Sequence, residues 1–164
     1  MIMRSAVYGA VLLLVSIGDR ATAQSLVPAS GIAIEVAPSS LLSDGQTVKL
    51  TPVRLRTALA TTLAQDGLRI RTDATGPRLL VGVIAYDSGP YLGFSKKATM
   101  TLSYRLDVPD LPATTWTDTC QAKAGVDMQD PDARNRLAVD MCLATLASQL
   151  SSRLLSPPGE TIVQ

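Results

Sequence analysis

The feature that most constrains the fold is a strict alternation of apolar and polar side chains from residue 97 to residue 108. Successive side chains of a β-strand point to opposite faces of the sheet. The alternation therefore predicts a long strand with one buried and one solvated face, which is typical of an antiparallel sheet. The residues on the apolar side are Ala98, Met100, Leu102, Tyr104, Leu106 and Val108.

Four further segments predict strands. Residues 32–36 and 68–72 alternate in the same way, whereas residues 79–85 are continuously apolar, as expected of a central strand with a neighbour on each side. Residues 115–124 form the last predicted strand. Its predicted inward residues are Trp116, Cys120, Ala122 and Ala124.

The first predicted helix covers residues 52–66. Thr51 is a good N-cap, and Pro52 suits the first helical position, where its missing N–H would have been unpaired. Leucines recur every four residues along this segment and predict one apolar face. Gly67 follows where a left-handed C-terminal cap belongs.

The second predicted helix begins after Asp130, with Pro131 in its first turn, and ends before Pro157. Its apolar stripe consists of Val139, Leu143, Leu146, Leu150 and Leu154. The order β-α-β-β-β-β-α predicts an α+β domain, with a mainly antiparallel sheet of four or five strands and both helices on one face. The predicted core includes Leu59, Leu63, Leu102, Tyr104, Trp116, Leu143, Leu146 and Leu150.

The N-terminus has the three parts of a secretory signal peptide. Arg4 supplies the positive charge, residues 6–17 are apolar, and Ala21-Thr22-Ala23 matches the small-x-small cleavage pattern. A short membrane anchor or a buried helix is the alternative. We expect cleavage after Ala23 and export to the periplasm, which leaves a leader at 24–31, a domain at 32–156 and a flexible tail at 157–164. No later segment is apolar for long enough to span a membrane.

The chain has two cysteines, Cys120 and Cys142. In an oxidising compartment two cysteines of a small domain usually pair, so we predict a disulfide between the last strand and the second helix. Two separate buried thiols are the alternative. Neither cysteine lies near the cleavage site, so no lipid attachment is expected there.

Composition argues against several function classes. The chain has no histidine, which removes the usual general base and the usual nitrogen ligand for metals. Its near-zero net charge gives no electrostatic case for nucleic acid. Asp107, Asp110 and Asp118 are interpreted as solvated surface, and Ser39, Ser40 and Ser43 as a capped loop. We therefore expect no catalytic residues, no cofactor and no metal.

The loop over residues 88–94 is the candidate interaction site. Tyr91, Leu92 and Phe94 lie between glycines, and exposed aromatic residues dominate many interfaces. The alternative is a long hairpin loop that packs onto the core.

Three stretches resemble the lipopolysaccharide-assembly lipoprotein family and its fold relatives, which include small periplasmic lipoproteins and auxiliary components of envelope transport systems. They are residues 54–59 (RLRTAL), 93–106 (GFSKKATMTLSYRL) and 132–138 (DARNRLA). The resemblance implies a non-enzymatic accessory protein of the cell envelope, in transport or outer-membrane assembly. Such a protein would dock onto an envelope protein partner and reach the membrane only through it. The alternative is a periplasmic binding module for a lipid or small apolar ligand held between sheet and helices.

Overall fold

The computed structural model describes residues 27, 30–73, 75–88, 96–125 and 130–156. Their elements follow the predicted order, with one short 3-10 turn added after the first strand. They are β1 (Ile32–Val36), the 3-10 turn (Ser40–Leu42), α1 (Pro52–Gln65), β2 (Ile70–Arg71), β3 (Arg78–Asp87), β4 (Lys96–Asp107), β5 (Thr114–Ala124) and α2 (Pro131–Leu155). The α+β class is therefore confirmed.

The strands form one five-stranded sheet in the order β2-β1-β3-β4-β5. β3, β4 and β5 pair antiparallel, because short connections return the chain directly beside itself. β1 pairs parallel with both β2 and β3, since α1 carries the chain back to the starting end of the sheet. The sheet is thus mixed, with long antiparallel ladders and two short parallel ones.

Local signals set the helix ends as predicted. The Thr51 hydroxyl accepts a hydrogen bond from the Arg54 N–H at 3.1 Å, and Asp130 accepts one from the Asp132 N–H at 2.9 Å. Gly67 has a φ of +93°, which suits the left-handed residue after a helix. These caps satisfy backbone groups that a helix end leaves unpaired.

Both helices cover the same face of the sheet. Leu55, Leu59 and Leu63 of α1 and Leu146, Leu150 and Leu154 of α2 are all 0 % exposed and join one hydrophobic cluster with the inward residues of the strands. The predicted core residues are buried, except Trp116, which is only partly buried. The layer between helices and sheet is therefore filled by side chains at these positions.

β2 is shorter than the predicted strand at 68–72. The Leu68 N–H donates to the Leu63 carbonyl at 2.9 Å and so belongs to the cap of α1, not to the sheet. Beyond β2, the edge of β1 is closed by a side chain, because Arg56 Nε donates to the Ile34 carbonyl at 2.9 Å. The edge of β1 therefore depends on α1 as well as on β2.

The C-terminal half of β3 extends past the end of β1. There the side chain of Gln46 bonds to the β3 backbone in place of a neighbouring strand. Gln46 Nε2 donates to the Tyr86 carbonyl at 2.8 Å, and Gln46 Oε1 accepts from the Ser88 N–H at 2.8 Å. The Tyr86 hydroxyl donates to the Val48 carbonyl at 2.6 Å. Val48 is buried here without forming a strand.

Within the described ranges, no helix is both long enough and apolar enough to cross a membrane.

Candidate functional site: the open face of the sheet

On β4 and β5, the face of the sheet opposite the helices is lined by polar side chains. In the described part of the chain no helix packs over it. Its β4 and β5 residues are the polar members of the alternation, and they are exposed or partly exposed. They are Lys97, Thr99, Thr101, Ser103 and Arg105 on β4, and Thr115, Thr117, Thr119, Gln121 and Lys123 on β5. The name "open face" is used below for this surface.

The open face contains a concavity of about 660 Å³ around Gly82. Leu80, Ser103 and Thr117 lie on its walls. Val81 and Tyr104 also line it, but each is only 1 % exposed because its side chain points to the helices. The cavity therefore lies on the open face and not between the layers.

Gly82 shapes the floor of this concavity. A Cβ atom at position 82 would lie 2.6 Å from the Ser103 hydroxyl, which is closer than real contacts allow. A side chain at position 82 would require Ser103 to shift and would extend into the cavity. The missing side chain thus keeps the centre of the open face hollow.

Hydroxyl groups dominate the β4 and β5 part of the open face, whereas Pro38 and Leu80 contribute apolar walls to the concavity. Thr101 and Thr119 share a hydrogen bond between their hydroxyls at 3.0 Å across β4 and β5. Near the C-terminal end of β4, Arg105 Nε donates a hydrogen bond to the Asp107 carboxylate at 2.8 Å. Among the described residues, no group of three or more Cys, Asp or Glu side chains could hold a metal ion. The arrangement can donate and accept hydrogen bonds along an extended partner.

β5 forms one edge of the sheet. Its pairing partner is β4, and no described strand lies on its other side. An unpaired edge can accept a strand from another chain. An inward-pointing charge on an edge strand opposes such pairing. Asp118 is a charge of this kind, so the edge is less suited to docking than the open face.

Asp118 is a correction to the sequence-based interpretation. The sequence analysis interprets it as solvated surface, but its side chain is only 8 % exposed and accepts a hydrogen bond from Arg153 of α2 at 3.0 Å. The physical reason is the period of two, since Trp116, Asp118 and Cys120 must share one face. The alternation of β5 residues therefore already indicated that Asp118 faces the helices.

A polar cluster surrounds Asp118 on the covered face. Tyr104 OH, Trp116 Nε1 and Asp118 Oδ2 are buried without a hydrogen-bond partner. The Tyr104 and Trp116 rings stack with centroids 5.3 Å apart. Burial, and then the nearby Asp118 charge, raises the pKa of Tyr104 far above its usual range.

The predicted disulfide is present between Cys120 of β5 and Cys142 of α2, whose Cα atoms lie 5.5 Å apart. Both residues are buried in the shared core. The bond joins the second helix to the edge strand, across the covered face.

The predicted partner-binding residues Tyr91, Leu92 and Phe94 lie outside the described residues. Their role therefore stays a prediction. Ser88, the first residue of that loop, is 1 % exposed, and its hydroxyl accepts a hydrogen bond from the Val48 N–H at 2.9 Å. The loop thus starts from a buried anchor.

A second, polar cavity of about 260 Å³ lies where the two helices begin. Lys49, Arg54 and Arg136 line it together with Asp132. Arg54 pairs with Asp140 at 2.9 Å and Arg136 with Asp130 at 3.7 Å, so acidic groups already balance the two arginines. This cavity is accordingly a less suitable docking site than the open face.

Comparison with known proteins relates the fold, and not the sequence, to other chains. No protein-family model and no curated protein matches the sequence. A candidate lipoprotein of Caulobacter crescentus matches the structure with a TM-score of 0.53 and 14 % identity, over 77 % of this chain and 88 % of that one. A Xanthomonas campestris protein matches with a TM-score of 0.50 and 14 % identity, over 73 % and 80 %.

A weaker match is rare lipoprotein B of Shewanella oneidensis, with a TM-score of 0.45 and 13 % identity over 72 % of this chain and 89 % of that one. That score is too low to support an argument. The Caulobacter and Xanthomonas matches show a shared fold. The chain therefore has the same fold as a candidate bacterial lipoprotein.

Proposed function

We propose that this chain is an exported, non-enzymatic accessory protein of the bacterial cell envelope that docks onto a protein partner through its open face. The observation that carries the proposal is that one face of the sheet is uncovered and hollow at Gly82, whereas the opposite face is filled by leucines. A filled layer leaves little internal space for a ligand. Binding would then take place mainly on the surface of the protein.

The dimensions of the open face suit a protein partner. β3, β4 and β5 are 10 to 12 residues long. With strands about 4.8 Å apart and about 3.3 Å per residue, they present roughly 500 Å² in projection, before side-chain relief is added. Standard interfaces bury about 800 Å² per partner, so this ribbon and its flanks supply an area of the required order.

The envelope assignment rests on the signal peptide, with the disulfide and the fold as support. The cleavage pattern at residues 21–23 predicts export, and a disulfide persists in oxidising compartments. The shared fold with a candidate lipoprotein agrees with an envelope protein. The narrower role in outer-membrane assembly or transport rests on the sequence resemblance alone. Membrane association would then come through the partner.

The alternative function is the binding of a lipid or small apolar ligand. The closed layer between helices and sheet does not favour the location that the sequence suggested. The open-face concavity of about 660 Å³ falls within the usual size of small-molecule sites, about 300–1,000 Å³. A ligand would therefore bind on the same face as the proposed partner.

The test compares two Thr→Arg variants of the mature chain in capture of envelope proteins by cross-linking. Thr117 is exposed in the concavity, whereas Thr61 is exposed on α1, on the other side of the molecule. We expect Thr117→Arg to weaken capture of a specific partner tenfold or more, about 1.4 kcal/mol. Thr61→Arg should leave capture unchanged, and both variants should keep the wild-type melting temperature.

Two further arms separate the alternatives. A Tyr91→Ala/Phe94→Ala variant that loses capture while Thr117→Arg retains it would move the docking site to the loop. Binding of a fluorescent fatty acid that Thr117→Arg abolishes, without any protein partner, would support the ligand alternative. Turnover of a substrate that is lost on changing one carboxylate would overturn the non-enzymatic assignment.

A further inference from the structure

Two lysines face each other directly on the open face. Lys97 of β4 and Lys123 of β5 are register partners, and both are exposed. Directly opposite residues of an antiparallel pair have Cβ atoms about 4.5–5.5 Å apart, and like charges at such positions destabilise the sheet. The pair is therefore a local cost to the fold.

The ion pairs of the described residues do not offset this cost. The ion pairs among the described residues involve only arginines, and neither lysine takes part in them. On β4 and β5, the next open-face row toward the centre is Thr99 and Gln121, which are uncharged. Asp87, the β3 partner of Thr99, already has an interaction of its own. Apart from Asp87, a matching anion would have to come from outside the described residues.

The row positions suit an extended segment. From the lysine pair, three rows of uncharged β4 and β5 residues lead to the Gly82 concavity: Thr99 with Gln121, Thr101 with Thr119, and Ser103 with Thr117. Six residues along β4 separate Lys97 from Ser103, about 20 Å at 3.3 Å per residue. Hydroxyl and amide groups on this path can bond to a polar chain that lies between the two ends.

From these observations we infer that the Lys97–Lys123 pair is the anchor for a carboxylate of the docking partner. The partner is a protein segment that carries acidic side chains at the lysine end and lies along β4 and β5 toward Gly82. The inference rests on the proposed function and names the chemistry of its partner. One carboxylate between the ammonium groups converts a repulsive pair into two charge-assisted hydrogen bonds.

An anionic membrane is the weaker choice for the same charges. Each basic residue near an anionic surface contributes only about 1 kcal/mol, so the two lysines would supply roughly 2 kcal/mol. The β4 and β5 rows beside them carry hydroxyl and amide side chains rather than large apolar ones. A discrete acidic segment uses both the lysines and the hydroxyl rows.

The first experiment titrates the isotope-labelled mature chain with hexaglutamate at low salt, followed by amide chemical shifts. We expect shifts at Lys97, Lys123 and the adjoining rows, and at least a tenfold loss of affinity in a Lys97→Gln/Lys123→Gln variant. Lys97→Arg/Lys123→Arg should retain binding, as should Lys49→Gln, a matched change at an exposed lysine off the open face. Equal binding of hexaglutamine, or no binding of hexaglutamate, would overturn the inference.

A second measurement needs no ligand. If the lysine pair is uncompensated, Lys97→Gln should keep or raise the melting temperature at low salt, and added salt should reduce the difference. A lower melting temperature would show that the chain itself neutralises the pair, which would overturn the inference. Sedimentation with anionic vesicles that depends on both lysines would replace the acidic segment with a membrane.

Partner capture separates the two proposals. If Thr117→Arg loses the partner and Lys97→Gln/Lys123→Gln keeps it, docking through the open face stands and the lysine anchor is wrong. If both variants keep the partner, both proposals fail. If Thr117→Arg and Lys97→Gln/Lys123→Gln both lose partner capture while Lys97→Arg/Lys123→Arg retains it, both proposals are supported.

Discussion

The two faces of this sheet are built from alternate residues of the same strands, yet they differ in almost every property. On β4, Met100, Leu102 and Tyr104 are at most 1 % exposed beneath the helices. Their neighbours Thr101 and Ser103 face the other way, toward solvent. A single strand thus contributes to folding through one set of side chains and remains free to bind through the other. Substitutions on the open face should accordingly alter binding at little cost in stability.

The covered face is not uniformly optimised. Where the C-terminal half of β4 pairs with the N-terminal half of β5, Tyr104, Trp116 and Asp118 bury polar atoms without partners. Each such atom costs about 1–3 kcal/mol. Near the C-terminal end of β3, by contrast, Tyr86 buries its ring and its hydroxyl donates to the Val48 carbonyl. The contrast between the faces is therefore sharpest where leucines from both helices meet β4.

The largest effect should come from opening the covered face. Leu146→Ala should lower the free energy of unfolding by about 2–5 kcal/mol, because Leu146 is 0 % exposed and truncation leaves a cavity. Thr117→Ala, on the open face, should change it by less than about 0.5 kcal/mol. Urea unfolding at pH 7 measures both. If Leu146→Ala lowers the free energy of unfolding by less than about 1 kcal/mol, Leu146 does not lie in the core of the covered face.

The disulfide should have the next largest effect. It closes a loop with a sequence separation of 22, and loop entropy predicts a contribution of roughly 3 kcal/mol. Urea unfolding of the wild-type chain with and without reductant measures it, because the side chains remain the same. A Cys120→Ala/Cys142→Ala variant is the control and should not respond to reductant. An unchanged wild-type midpoint would mean that packing alone holds α2 on β5.

The smallest effect distinguishes two buried tyrosines. Tyr86→Phe should cost about 1 kcal/mol, since it removes the hydrogen bond to the Val48 carbonyl. Tyr104→Phe should cost nothing at pH 7 or stabilise the chain, because its hydroxyl has no partner. Urea midpoints of the two variants measure the difference. Equal losses would show that the Tyr104 hydroxyl is satisfied in solution.

The same tyrosines predict a loss of stability in alkali. Burial raises the pKa of both phenols, so the unfolded chain releases its protons first, near pH 10. The stabilisation by the protonated phenols is therefore complete below about pH 10 and decreases as the pH rises toward the folded-state pKa. Tyr104→Phe should reduce this alkaline loss more than Tyr86→Phe. A flat profile above pH 10 would contradict the burial of both rings.

Much of the open face was predictable. The alternation from residue 97 to 108 identified its Thr, Ser and Arg side chains as solvated. The concavity was not predictable, since it depends on the register that sets Gly82 opposite Ser103 and Ser103 opposite Thr117. The lysine pair was missed for the same reason, because Lys97 and Lys123 become neighbours only when β4 and β5 are aligned. The loop with Tyr91 and Phe94 remains a prediction.

The sequence by itself determined what local physics controls: the period of two along the strands, the caps at Thr51 and Asp130, and the two cysteines available to pair. Only the tertiary structure decided that β1 pairs in parallel and that Arg153 accompanies the buried Asp118. It also decided which sheet face the helices leave open. Caps and periodicity act within a few residues, whereas register, burial of charge and the choice of face depend on segments that are distant in the chain and meet only when it folds.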